Sequence, residues 1–476
     1  VGAGACRQLT EGLNNVAIST NALYTATTQD ECIAIGRDAL YALNDDAADG
    51  SIGIGHFALK ALTTGTGNLA IGYLALQGHT TGHRNIAIGY GTMRDTDHHA
   101  DVQCSIDNTF IGFQSGGGEW QTNDSNYNVG IGNYVMDADG MNGALYNTAV
   151  GMSALSSLTS GARNIAVGSN AGLGLADSTD CTFIGYQAGE DVDSSGSVPH
   201  GCTYVGSYSG KNLDDGTHNT AVGFNAMIGT TGGSTCNLNV GIGKDALESI
   251  RTGDQNVVIG ADAGDGTVDV DDTVIIGYGA GSAVMTDAAD GTVGIGKSAL
   301  AQLTTGAGNT AVGYSAGQAI TDGDYNTVLG YNAFITADSG EGYNTVIGWE
   351  AGKTVNHPTA DHNVFIGAKA GYGQTGYVLG ECVAIGSECF DGTGANSITG
   401  VVAIGKGAMS GVVESTANGS VAIGGYALTA LTSGAGNVAV GYQAGLALTT
   451  GSSNTVLGHG ALDDMVEGGN NIAIGK

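Results

Sequence analysis

The chain has 476 residues, of which 85 are glycine and 2 proline, with 42% hydrophobic and 12% charged residues. So much glycine, without a three-residue glycine period or abundant proline, excludes collagen, and the apolar fraction excludes a solvated disordered coil. A net charge of −31 lacks the basic clusters that phosphate contacts need, so nucleic acid is not an expected partner; the acidic surface favours solubility.

One motif recurs along the chain. It predicts a strand over VAI at 16–18, with Ser19 in the place where later copies have glycine. IAIG at 33–36, IGIG at 52–55, LAIG at 69–72 and IAIG at 86–89 follow at intervals of 17 or 19. The longest interval, 23 residues, separates Gly89 from TFIG at 109–112. The motif then ends at glycines 132, 151, 168, 185, 206, 223, 243, 260, 277, 296, 313, 330, 348, 367, 386, 405, 424, 441, 458 and 475. Gly2 and Ser19 complete the series. Of 26 intervals, 14 are 17 residues and 7 are 19.

Each column of the repeat has a physical reading. The residue before the index glycine is aliphatic and the residue two earlier is mostly Val, Ile or Thr, a two-residue period rich in β-branched side chains that means strand. Ile35, Ile54, Ile71, Ile88, Val312 and Ile423 are accordingly expected to form the core column. The small residue between, as at Ala34, Gly53, Ala149 and Ala311, is expected to face outward and let another backbone approach. Four residues before the glycine stands Asn in 17 of 26 copies, including Asn68, Asn85, Asn309, Asn326, Asn437 and Asn454. Stacked asparagines can hydrogen-bond up a column as an amide ladder. The glycine column marks a bend or a contact too tight for a Cβ.

Seventeen residues is too short for a helical repeat pair. The expected fold is all-β: a parallel β-solenoid, a β-roll or β-helix of about 26 coils with a 17–19-residue repeat, in one continuous array over residues 1–476. At ~4.8 Å per coil, 26 coils would make a rod of roughly 125 Å. Neither end of the sequence carries a cap, so a segment of a longer fibre is expected.

The N-[TV]-A-[IV]-G-x-x-A pattern, as in NTAVGYSA at 309–316 and NVAVGYQA at 437–444, resembles the head repeats of trimeric autotransporter adhesins and the fibre repeats of phage and large-virus tail-fibre proteins. The resemblance covers essentially the whole chain. It implies a homotrimeric rod with the AIG strand at its core. The departure is the period: the adhesin head repeat is shorter, and the longer turns here are closer to the viral fibre repeats.

Candidate chemistry is sparse. Cys181 and Cys202 both replace the ladder asparagine in adjacent coils, where a disulfide or two buried thiols are the two readings. Cys382 and Cys389 lie seven apart in different columns, a weaker pairing. His98, His99, Asp101 and Cys104 offer metal-ligating side chains at no standard zinc spacing. Acidic turns at 44–50, 264–272 and 286–291 offer oxygen ligands for Ca²⁺; no other cofactor is expected. Tyr314 and Tyr331 could contribute to a glycan-binding stripe, Trp120 is the better tryptophan for a receptor contact, and Asn123 and Asn418 are sequons. Threonines 310, 327 and 345 are too intermittent for an ice-binding array. There is no GxSxG, HExxH or P-loop, so no enzyme is expected, and no apolar run long enough to insert in a membrane. The expected function is a rigid extracellular fibre, on a cell or a virion, self-associating as a homotrimer and able to meet a receptor or glycan. The alternative is a structural filament without a receptor.

Overall fold

A computed structural model describes residues 2–44, 48–96, 105–121, 123–191, 199–230, 234–373, 377–392 and 397–476. The chain forms two compact units, Val1–Leu238 and Asn239–Lys476. Both are parallel β-solenoids built from the same coil.

In the first unit each copy of the motif is a three-residue strand, from Val16–Ile18 through Ile33–Ile35, Ile86–Ile88 and Thr182–Ile184 to Thr220–Val222. Each strand pairs in parallel with the next, equivalent residue opposite equivalent residue: Val16 with Ile33, Leu69 with Ile86, Thr203 with Thr220. The second unit repeats this from Val240–Ile242 to Ile472–Ile474, for example Val257 opposite Val274 and Val438 opposite Thr455. Here two longer turns pair as well, Leu379–Gly380 beside Ile398–Thr399, and two others form single 3₁₀ turns at Asp287–Ala289 and Ser415–Ala417.

The turns stack as the strands do. Leu59 N–H donates to Ala75 O at 3.0 Å and Leu76 N–H to Thr92 O at 3.0 Å, so corner backbone groups also find partners one coil on. Threonines of the TTG turns add side-chain bonds of the same kind, as from Thr63 Oγ1 to Thr80 O at 3.0 Å. The corners are tight: Asp38 and Leu40 sit at φ 53° and 49°, and equivalent residues recur left-handed in coil after coil. Left-handed backbone costs a non-glycine residue about 1–2 kcal/mol, a strain that stacking must offset. At the index column it is combined with a steric limit. Gly72 has φ +139°, and a Cβ there would run into the carbonyl of Gly89 in the next coil.

The core lies where the sequence reading did not place it. The middle residue of each strand, Ala34, Gly53, Ala70, Ala87, Ala149 or Ala311, is buried and points into the coil. Ile35, Ile54, Ile71, Ile88 and Val312 are only half-buried and Ile423 is 36% exposed, because they point out of it. The reason is space. Large interior side chains come from the turn four residues after the index glycine, where Leu40, Leu59, Leu76 and Met93 are fully buried. The strand facing them has room only for a small residue.

An aromatic strand centre takes up interior space that a turn side chain fills elsewhere. Where the strand centre is aromatic, at Phe110, Phe183, Tyr204 or Phe365, the turn position opposite becomes Gly116, Gly189, Gly210 or Gly371. A Cβ on any of these glycines would meet that ring at 3.0 Å or less. Such reciprocal exchange is what close-packed interiors require.

A candidate assembly face

The outward side chains of each strand form two parallel columns of Val, Ile, Leu and Thr with no charged member. Ile131 is 40% exposed, Ile165 43% and Leu329 46%, and Thr310, Thr327 and Thr345 lie among them. A three-residue strand presents about 50 Å² per coil, so the strands of the first unit alone offer roughly 600 Å². Monomers rarely leave a contiguous apolar patch of more than a few hundred Å² to water.

An aromatic column follows the index glycine on one edge of this face. Tyr73, Tyr90 and Phe113 stack in consecutive coils with centroids 5.1 and 5.2 Å apart, and Tyr314 stacks on Tyr331 at 5.1 Å with 16° between planes. Rings piled this way cover one another's faces and leave their edges to solvent, a poor surface for stacking a sugar. Lys297 lies over both Tyr278 and Tyr314, and Lys369 over Trp349 at 5.2 Å. The other edge carries charge and further rings: the fork of Arg84 pairs with Asp107, Arg163 with Asp180, and Tyr127 stacks on Tyr146. These exposed ion pairs contribute little individually.

Behind the face the asparagine column is buried and bonded. Asn68 Oδ1 accepts from Asn85 Nδ2 at 3.2 Å, and Asn309 Oδ1 from Asn326 Nδ2 at 3.1 Å. Asn437 Oδ1 accepts from Asn454 Nδ2 at 3.0 Å. Each amide also donates to a corner carbonyl of the next coil, as Asn68 does to Gly82 at 2.7 Å. Where asparagine is replaced, serine keeps that donation: Ser51 Oγ bonds Gly65 O at 3.1 Å.

Sequence reasoning missed a second ladder. Where Asp or Asn stands six residues before the index glycine, it accepts a backbone N–H from the preceding coil. Asp271 accepts from Asp254 at 2.6 Å, Asp290 from Asp271 at 2.8 Å and Asp361 from Gly342 at 2.8 Å. Recurrence of Asp and Asn in that column was the available signal. Asp49, Asp271 and Asp290 each belong to one of the three acidic turns considered for Ca²⁺, and each has one oxygen engaged this way.

The remaining candidates fall as follows. Trp120 is 1% exposed, donates from Nε1 to Gly116 O and packs edge-on to Phe110, so it is an interior residue and no receptor contact; Trp349 is 49% exposed. Cys181 and Cys202 are buried free thiols, as are Cys382 and Cys389, whose pKa values burial pushes up to about 11 and 12. Asn123 is exposed; Asn418 accepts from Thr399 N–H. His98, His99, Asp101 and Cys104 lie outside the described residues. Among the described residues no group of three or more His, Cys, Asp or Glu is placed to hold a metal ion, and no helix is long and apolar enough to cross a membrane. Compared with known protein families and with curated proteins, the chain matches none.

Proposed function

We propose that the chain is a non-enzymatic structural repeat of an extracellular fibre in which three copies bury their strand faces against one another. The observation that carries this reading is the uncharged aliphatic face. On a chain of net charge −31, it is the surface that gains most from leaving water. A second copy is the fitting occupant, because it presents the same ridges at the same ~4.8 Å pitch and can stay in register over many coils. The burial of Trp120 favours a shaft, such as that of a viral tail fibre or surface adhesin, over a receptor-binding tip. A structural filament without a receptor fits the same observation.

Light-scattering mass at low concentration tests the assembly. The expected value is three times the 47.2 kDa chain. Acrylamide quenching should then spare both tryptophans, Trp120 inside the coil and Trp349 beside the covered face. A folded 47.2 kDa species with Trp349 fully quenched would remove the assembly and leave the solenoid.

A further inference from the structure

Four cysteines stand in the asparagine column, and only two of them are neighbours. Cys32 lies between Asn15 and Ser51, and Cys382 between Asn363 and Val401. Cys181 and Cys202 occupy successive rungs. The strands that follow them pair with Thr182 opposite Thr203, and Thr182 N–H donates to Cys202 O at 2.8 Å. This register puts the two Cα atoms about 4.8 Å apart, inside the ~4.4–6.8 Å that a disulfide spans.

The position also weakens the ladder. Cys181 N–H still donates to Asn164 Oδ1 at 3.0 Å, but Cys181 offers the next rung only a sulfur, a weak acceptor. Each thiol reaches a corner carbonyl of the next coil, Pro199 O at 3.5 Å and Gly216 O at 3.2 Å. The contact between the thiols favours ionisation of Cys202 and disfavours that of Cys181. An ionised thiol is the nucleophile that exchange needs.

We propose that Cys181 and Cys202 are a modification site: folded in the presence of a small-molecule disulfide such as oxidised glutathione, they close into a bond that clips two successive coils. One protein thiolate attacks a glutathione sulfur, breaking that S–S bond and expelling one glutathione thiolate, which takes up a proton. The second protein thiolate displaces the remaining glutathione, again as thiol. Two protein S–H groups are oxidised to one S–S bond, and the glutathione disulfide is reduced by two electrons to two thiols. Such a bond persists in an oxidising compartment, consistent with the extracellular reading but independent of assembly.

The test is to refold the full chain in a glutathione redox buffer, confirm β structure by circular dichroism, alkylate in denaturant and map the peptides by mass. The expected product lacks two hydrogens and contains one linked peptide pair, Cys181 with Cys202. Cys32 and Cys382 should both be alkylated. The link should vanish in Cys181→Ser and Cys202→Ser and survive in Cys32→Ser. A folded chain with both thiols alkylated or glutathionylated, or with either joined to another cysteine, would overturn the proposal.

Discussion

Asn68 Oδ1 accepts two hydrogen bonds from one residue of the next coil, the Asn85 backbone N–H at 3.0 Å and the Asn85 side-chain amide at 3.2 Å. Asn85 Oδ1 does the same for Asn108. The column thus ties backbone to backbone through a side chain that water does not reach. Asn85→Ala should leave the Asn108 N–H and the Ser105 carbonyl short of a partner, at about 2–4 kcal/mol. Asn85→Ser should cost about half of that, since Ser51 in the same column keeps its corner bond. Hydrogen exchange at the Asn108 amide checks this: fast in the alanine variant, intermediate in the serine variant.

The index glycines should be the least replaceable. Gly72→Ala meets both a left-handed φ and the Gly89 carbonyl, and should cost at least about 3 kcal/mol. Gly291 also has positive φ, +68°, but nothing lies within 4 Å of the added Cβ. Gly291→Ala should cost only about 1–2 kcal/mol. Denaturant melts of the two variants, measured side by side, decide whether the clash or the dihedral dominates.

The orientation of the strand yields a compensation experiment. Ala87 faces the interior opposite Met93, and the next coil holds Phe110 opposite Gly116. Ala87→Phe alone should overpack the coil by about 1–3 kcal/mol or more. Ala87→Phe with Met93→Gly should recover most of the loss, since Met93 already has φ 48° and glycine accepts it freely. A double-mutant cycle on thermal melts reads the coupling. Ile88→Thr, on the outer face, should leave the melt of an isolated coil stack nearly unchanged and weaken only association.

Among the described residues of the second unit, Glu341 is the carboxyl shifted furthest. It is buried, with only weak backbone contacts at His357 and Asp338 to its oxygens. Burial, with a smaller push from Asp338, raises its pKa from 4.5 to about 7. Between those values the folded state holds a proton that the unfolded state has released, so stability falls as pH rises through this window and levels off above it. Glu341→Gln should therefore match the parent at pH 4 and exceed it at pH 8, as read from paired melts. Gln29, in the same column of the first unit, shows that an amide fits there, accepting from the Thr27 N–H at 2.7 Å.

The period, the parallel stacking and the all-β class were legible in the sequence because identical columns can satisfy one another only in register. What the period could not give was sidedness. An alternating strand has two faces, and Ile35 looks more like core than Ala34 until the partner across the coil is known. The partner was in the sequence too: aromatic residues at 110, 183, 204 and 365 coincide with glycine six residues later, at 116, 189, 210 and 371. That covariation marks the middle residue as inward. Trp120 misled for a related reason, since a long polar turn reads as surface although its indole fills the space beside Phe110.

The spacing between index glycines changes from 17 to 23 residues, yet the strands on either side stay opposite one another, as Ile86 and Thr109 do across the longest interval. The scaffold therefore tolerates longer corners, provided that residues such as Met93 still fill the interior. Foreign peptides grafted between Thr96 and Ser105, after the buried Met93 and before the ladder residue Asn108, would be displayed without disturbing the ladder, and natural descendants of this chain can diversify there while every strand keeps its address.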